Sequence, residues 1–437
     1  MIRKAGRTFL TLLIAAGGVA LLVALPWWSV AVIAALLACW LAFTRSGRQA
    51  WSVTLVGMST VPSRLGAASV VVIGIAGVVG VLVALFAMAQ GFKATLQATG
   101  SKDTAIVLRA GSQTEINSTL DRDATVIIAN EPQVMRDARG RPIASPELVV
   151  VASIPKKSTG LDANVEVRGI GQEAWTLRPR VRIIAGRRFT PGLRELIVGK
   201  RAAQEFEHTS LGSKIHLGGQ PWTVVGLFDS GDEHNSELWG DADVIASAYH
   251  RGNSRNSVTV RLKSPQDLDA FKAALASDPR FKVDAMTTLD YYSRQSQILT
   301  RAIRILGTTV AVIMAIGAIF GALNTMYAAV AARTREIATL RAMGFRGGPV
   351  VVSVLMETLL LAIAGGIVGA AIAWALFDHY TASTLGSNFS QVVFEFRVTP
   401  ALLAGGLRWA LAIGFVGGLF PAVRAARMPV TEGLREL

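Results

Sequence analysis

Three observations in this 437-residue chain predict an α-helical membrane protein with six transmembrane helices and one α+β domain outside the membrane. The first is composition: 51% of the residues are hydrophobic, only 17% are charged, and the mean hydropathy is +0.43, whereas soluble domains carry roughly a quarter charged residues. The second is clustering. Thr8–Thr44 holds no charge over 37 positions, and Leu65–Phe92 and Ile305–Ala332 hold none over 28 each, against the ~20 residues a helix needs to cross the hydrocarbon core. Val350–Phe377 and Val398–Val423 are interrupted only by Glu357 and Arg408. The third is a long polar stretch, about 93 to 300, whose short β-rich runs alternate with helical ones. Disorder is excluded, because its signature is low hydropathy with high net charge. A single cysteine, Cys39, excludes a disulfide scaffold.

The first apolar block is too long for one span, and Pro26-Trp27-Trp28 interrupts it. Aromatic residues prefer the bilayer interface, so Phe9–Leu25 and Ser29–Phe43 read as two short helices of a hairpin within 1–44. A cleaved signal peptide is the alternative, given Arg3, Lys4 and Arg7 ahead of the block, but the apolar run continues past the usual length of such a segment. A basic cytoplasmic linker follows at 45–65, then a span at 66–91, the outer domain at 92–302 and a span at 303–332. A cytoplasmic segment at 333–349, a span at 350–377, an outer loop at 378–399, a span at 400–423 and a tail at 424–437 complete the order.

Charge orients these spans, because Lys and Arg accumulate in short cytoplasmic loops. With both termini inside, the four inner segments hold thirteen basic residues against three acidic ones, and the rest of the chain holds thirty-one against twenty-seven. Most of the formal charge of +14 is thus a topology signal, and no basic patch with interleaved aromatics points to nucleic acid. The chain is expected to be multi-pass, in contact with membrane lipid, with both termini cytoplasmic.

In the outer domain, Thr104–Arg109, Ala124–Ile128, Glu147–Ala152 and Ser257–Leu262 read as strands. Ser264–Leu275 reads as a helix with Ser264 as N-cap and Pro265 at its first position. Gly212–Gly226 reads as a hairpin about Gly218-Gly219.

Catalytic chemistry finds no candidate. The five histidines show no metal-ligand spacing. Asp229-Ser230-Gly231-Asp232-Glu233-His234 is the one dense polar cluster; a calcium or zinc loop is conceivable there, but a solvated loop accounts for it more simply. No Gly-x-Ser-x-Gly elbow appears, and Val198-Gly199-Lys200-Arg201 has Arg194 and Arg201 where a phosphate-binding loop needs Gly and Ser or Thr. The chain is therefore expected to be no enzyme and to hold no cofactor.

One cytoplasmic segment has helical periodicity: Arg333-x-Arg335-Glu336-Ile337-x-x-Leu340-Arg341-Ala342-Met343-Gly344 places Ile337 and Leu340 on one face. Composition alone leaves two readings open, a basic loop that anchors topology and a protein-docking element. This segment, the following span with Glu357, Gly365, Gly366 and Gly369, and the closing Pro421–Arg435 resemble the MacB/FtsX-like permeases of ABC transporters. Ile184–Phe189, Glu195–Gly199, Leu211-Gly212 and Trp222–Gly226 resemble that family's periplasmic core domain.

The resemblance implies a membrane subunit that works with an ABC ATPase dimer, which binds ATP and Mg, with a second identical or related permease, and in some cases with a periplasmic adaptor. It implies export or extrusion of a hydrophobic or peptidic substrate by mechanotransmission; activation of a periplasmic cell-wall hydrolase is the alternative. Arg333, Arg335, Glu336, Ile337, Leu340, Arg341 and Gly344 would then form the ATPase coupling helix, with Ile337 and Leu340 filling a groove of the ATPase. Glu357 would make a structural or coupling contact inside the bundle, and Gly317-x-x-x-Gly321 with Gly365, Gly366 and Gly369 would allow close helix packing. Arg408 is expected to snorkel to the outer surface. The hairpin of 9–43 departs from the family's ordinary four-span pattern, and no ATPase domain is fused within these residues, where the family's ATPase is either separate or fused.

Overall fold

The computed structural model describes residues 17, 27–59, 64–278 and 282–429. The chain divides into a helical unit, Met1–Met88, Ala302–His379 and Arg397–Leu437, and an α/β unit, Ala89–Arg301 and Tyr380–Phe396. The helices are α1 (Trp27–Phe43), α2 (Arg45–Ser59), α3 (Leu65–Thr99), α4 (Arg122–Asn130), α5 (Ala174–Leu177), α6 (Lys200–Glu205), α7 (Ala242–Ala248), α8 (Leu268–Ser277), α9 (Thr288–Ala332), α10 (Thr334–Ala342), α11 (Gly347–Phe377) and α12 (Pro400–Arg427).

Four of these helices, α3, α9, α11 and α12, are long and apolar enough to cross a membrane, and a fifth span results if the bent pair of α1 and α2 is counted as one. Six spans are therefore not reached among the described residues, and the expected helix Phe9–Leu25 lies outside them apart from Gly17. In the helical unit, Val71, Ile75 and Val79 of α3 pack with Ala315 and Ala322 of α9, Ala362 of α11 and Ala410 and Ile413 of α12. The alanines let the backbones approach closely where lipid supplies no hydrophobic drive, and Val71, Ile75 and Val79 of α3 pack against them.

The expected linker at 45–65 is largely a helix. Thr44 closes α1 by donating its hydroxyl to the Trp40 carbonyl at 2.8 Å and opens α2 by accepting from Gly47 N–H at 2.9 Å. The axis turns by 98° at this point. Ala50 and Thr54 are buried and α2 packs on α11, so its inward face is small while Arg45 and Arg48 stay exposed.

In the α/β unit, ten strands form one mixed sheet: β1 (Thr104–Arg109), β2 (Ala144–Pro155), β3 (Asp162–Ile170), β4 (Arg182–Gly186), β5 (Glu195–Gly199), β6 (Lys214–Leu217), β7 (Gln220–Asp229), β8 (Glu237–Asp241), β9 (Ser257–Arg261) and β10 (Val283–Thr287). Their order is β10-β1-β9-β2-β3-β8-β5-β7-β4, with β6 on β7. The twelve-residue β2 joins the halves, pairing through Ala144–Glu147 with β9 and through Leu148–Pro155 with β3. One core lies under each half, around Val150, Val167 and Trp222 and around Val107, Val260 and Phe271. The strands read at 104, 147 and 257, the 3-10 turn capped by Ser264 that leads into α8, and the β6–β7 hairpin all occur.

Ala124–Ile128 is the exception: it lies in α4, not in a strand. Its β-branched run reads as strand locally, but Ala124, Thr125 and Ile128 share a helical face that packs into the second core, and tertiary burial outweighs a preference of a few tenths of a kcal/mol per residue. A small hairpin, β11 (Thr381–Leu385) with β12 (Gln391–Glu395), belongs to the same unit, where Phe394 meets the edge of Phe92 at 5.4 Å.

Candidate functional site

In the helical unit the segment between α9 and α11 folds as the short helix α10. Arg333, at φ −110° and ψ 15°, breaks α9 from it. Its far end is a left-handed cap: Gly344 has φ +98°, Gly344 N–H donates to Arg341 O, and Phe345 N–H donates to Leu340 O, both at 3.1 Å. This pair of bonds needs a residue free to adopt positive φ.

The burial of α10 corrects the expected docking face. Ile337 is buried against Met326, Val330, Val350, Val354, Ala422 and Ala425 of its own chain, so it is not free to fill a partner's groove. Leu340 is half-buried, while Arg335, Glu336, Thr339 and Met343 are exposed, Met343 to 65%. The amphipathic stripe that the periodicity revealed therefore points inward, as apolar stripes on short helices ordinarily do. Arg341 donates to the Met428 carbonyl, tying α10 to the end of α12. An open groove of about 650 Å³ runs beside α10, lined by Ser52, Val53, Arg335, Thr339, Leu340 and Met343.

Glu357 of α11 is buried and accepts from Arg333 Nη1 at 3.0 Å, and Arg64 Nη2 lies 3.9 Å from its other oxygen. The remaining intramembrane candidates divide by neighbour. A Cβ on Gly369 would fall 2.3 Å from the Ala76 carbonyl oxygen and one on Gly365 2.8 Å from that of Val72, so both seat α11 on α3; one on Gly366 would fall 2.9 Å from Ala410 Cβ of α12. Around Gly317 and Gly321 a Cβ would meet nothing within 4 Å, so that motif makes no close approach among the described residues. Arg408 is half-buried.

The α/β unit holds a second polar centre, which the sequence reading missed. Arg168 on β3 is buried and pairs with four buried glutamates: Glu115 and Glu147 at 3.0 Å, Glu166 at 2.5 Å and Glu237 at 2.9 Å. Arg178 grips both oxygens of Glu147 at 2.6 and 2.8 Å and donates Nε–H to His234 Nε2 at 3.0 Å. That leaves His234 Nδ1 as the donor to Glu237, also at 3.0 Å. Trp239 Nε1–H, Ser257 Oγ–H and Asn388 Nδ2–H donate to Glu237, Glu115 and Glu166. Burial, reinforced by the neighbouring Glu237 carboxylate, pushes Glu166 up to about 8, and burial beside Glu166 raises Glu233 well above the usual carboxylate range. Burial alone would raise Glu237 and Glu147 as well, but Arg168 and Arg178 respectively hold them below that range.

The Asp229–His234 loop expected to be solvated is instead buried from Asp232 onward and belongs to this centre. Its two aspartates are occupied, Asp229 accepting from Asn235 and Gly231 and Asp232 from Ser230 and His234, whereas Glu233 Oε2 is buried with no hydrogen-bond partner among the described residues. Among the described residues no group of three or more His, Cys, Asp or Glu could hold a metal ion. A cavity of about 260 Å³ adjoins the centre, lined by Thr104, Glu115, Arg178, His234, Thr288 and Tyr292 among others. The missed signal was the buried end of the polar face that Asp162, Asn164, Glu166 and Arg168 form along β3, with Glu147 leading into Leu148-Val149-Val150-Val151.

Two family descriptions match in chain order, the MacB-like periplasmic core domain over residues 68–278 and the FtsX-like permease C-terminal domain over residues 308–430. The chain belongs to the MacB/FtsX-like family of ABC transporter permeases. Among its relatives is the macrolide export ATP-binding/permease protein MacB of Pectobacterium atrosepticum, 23% identical over 83% of this chain and 56% of that protein. An uncharacterized ABC transporter permease, YknZ of Bacillus subtilis, is 26% identical over 58% of this chain and 66% of its own length. The periplasmic region of MacB from Actinobacillus actinomycetemcomitans aligns with 43% of this chain and 90% of its own at 14% identity, with a TM-score of 0.34. This permease-family chain thus spans between about half and two thirds of the relatives it matches. Both family matches fall on the elements described above, α3 with the α/β unit and α9 to α12.

Proposed function

We propose that this chain is the membrane subunit of an ABC transporter, driven by a separate ATPase dimer that binds ATP and Mg, and that it transmits ATPase closure to its α/β unit to export a hydrophobic or peptidic substrate. The observation that carries the reading is α10: a nine-residue helix bounded by a break and a left-handed cap, set between two helices of spanning length. A short helix fixed to two long ones converts a push on its exposed face into a tilt of both, and α3 and α9 continue unbroken into residues of the α/β unit. The exposed residues Arg335, Glu336, Thr339 and Met343 are the contacts available to the ATPase; Arg333, Ile337, Leu340, Arg341 and Gly344 hold the helix in place.

A twofold ATPase dimer calls for two permease copies, identical or related. The proposal places the assembly in the bacterial inner membrane with both chain termini cytoplasmic and the α/β unit on the outer side, where a periplasmic adaptor can join it. Relatives named for macrolide export support a hydrophobic cargo. The test is purification of the full chain in mild detergent, identification of every co-purifying protein by mass spectrometry, and an ATP hydrolysis assay. Wild-type chain is expected to bring down an ATPase, and Met343→Asp to lose it, since a charge is placed on the exposed face without touching the core. Recovery of no ATPase by the wild type rejects the reading; recovery of a cell-wall hydrolase turns it into the signalling alternative.

A further inference from the structure

We propose that Glu357 is a positioning residue that fixes the angle between the coupling helix α10 and the spanning helix α11, an assignment that rests on the permease reading above. Arg333 is the single residue between α9 and α10, and its backbone is not helical. A joint of one residue can swing unless its side chain is held. Its guanidinium is held on two sides: Nη1 donates to Glu357 Oε2 at 3.0 Å, and Nη2 donates to the Gly57 carbonyl at the end of α2. Arg64, at the start of α3, supports the second oxygen of Glu357 from 3.9 Å and donates to the Ala329 carbonyl of α9 at 3.4 Å.

One carboxylate, 7% exposed, therefore joins α11 to the break in α9 and, through the two arginines, to α2 and α3. A lone charge at such a position costs roughly 3 kcal/mol on insertion scales, and a leucine would fill the space with no such cost. What leucine lacks is direction. Arginine's planar fork locks to a carboxylate in a defined geometry, whereas apolar contacts allow neighbouring helices to slide. Ile337 keeps α10 against the core, so loss of Glu357 leaves the helix docked and free to turn. The expected consequence is a transporter that hydrolyses ATP without moving its α/β unit.

The experiment compares wild type, Glu357→Gln, Glu357→Asp and Arg333→Gln, each as the full chain with its co-purified ATPase in lipid nanodiscs. It reads the hydrolysis rate and the ATP-dependent change in hydrogen exchange across the α/β unit. Glu357→Gln is expected to retain the ATPase and most of its rate while the ATP-dependent change falls roughly tenfold or more, the scale set by breaking a buried charge pair, and Glu357→Asp to restore part of it. Arg333→Gln carries the same test if Glu357→Gln does not insert. A responsive wild type with equally responsive variants overturns the joint alone; a wild type that recovers no ATPase overturns the permease reading and the joint together.

Discussion

Replacing Arg168 by methionine removes the cation that contacts Glu115, Glu166 and Glu237 together and leaves Arg178 on Glu147. Methionine replaces the arginine stem but not the guanidinium, so the perturbation is mainly electrical, with a small space left where the buried fork stood. Removing one partner of a buried ion pair costs about 3–5 kcal/mol because the other charge stays buried and unpaired, and here Glu115 and Glu237, each under 5% exposed, are stranded at once, while Glu166, pushed up to about 8, is already mostly neutral at pH 7.5. They recover part of this by binding protons, which keeps the net loss near the range for a single pair. For a unit of this size that is a fall in Tm of roughly 6–20 °C, out of a stability that is typically only 5–15 kcal/mol. Because the stranded carboxylates take up protons in the folded state, the deficit is expected to be smaller at pH 5 than at pH 7.5. Near-ultraviolet circular dichroism of the solubilised full chain, melted at both values, checks it. A variant within about 1 kcal/mol of wild type at pH 7.5, or with an identical deficit at both, refutes the account of Arg168 as the charge that holds this centre together.

Glu166, with a folded pKa of about 8 against an ordinary 4.5, stabilises fully below 4.5, and that contribution is lost as pH rises toward 8. Wild-type stability is expected to fall by up to ~1.4 kcal/mol per pH unit across this window, and Glu166→Gln to flatten the slope; equal slopes in melts from pH 5 to 8 reject the assignment. Gly369→Leu sets a side chain on the Ala76 carbonyl and is expected to cost about 3 kcal/mol or more, giving an aggregated profile in size-exclusion chromatography. Gly317→Leu, with open space around it, is expected to leave the monomer's profile unchanged. Gly344→Val forces a β-branched residue to φ +98° at about 1–3 kcal/mol, read as faster amide exchange across Thr334–Phe345.

The amino-acid sequence by itself determined the membrane class, the mixed α/β domain that follows an apolar helix, and the position of the short helix α10. Each rests on a local and strong signal: an uninterrupted apolar run, a glycine placed to end a helix, or a motif whose residues lie within a dozen positions of one another. The strands at 104, 147 and 257 were legible for the same reason, since alternating β-branched runs bounded by turns need no distant partner to be recognised. Ala124–Ile128 misled because its β-branched composition is local while the core that folds it into a helix is not.

Only the tertiary structure decided which faces those elements turn to one another. Helical periodicity located the stripe of Ile337 and Leu340 but not its target, because an apolar stripe looks the same whether it fits a partner or its own bundle; contacts with Met326, Val350 and Ala422 settle that Ile337 faces inward. Glu357 drew notice as a charge in an apolar run, yet its partners Arg64 and Arg333 stand 293 and 24 positions away. The Arg168 centre gathers glutamates from 115 to 237, and no spacing rule connects them. Charge pairs are set by distance through space, and in a buried site each pair stands only when the whole fold has brought every member into place.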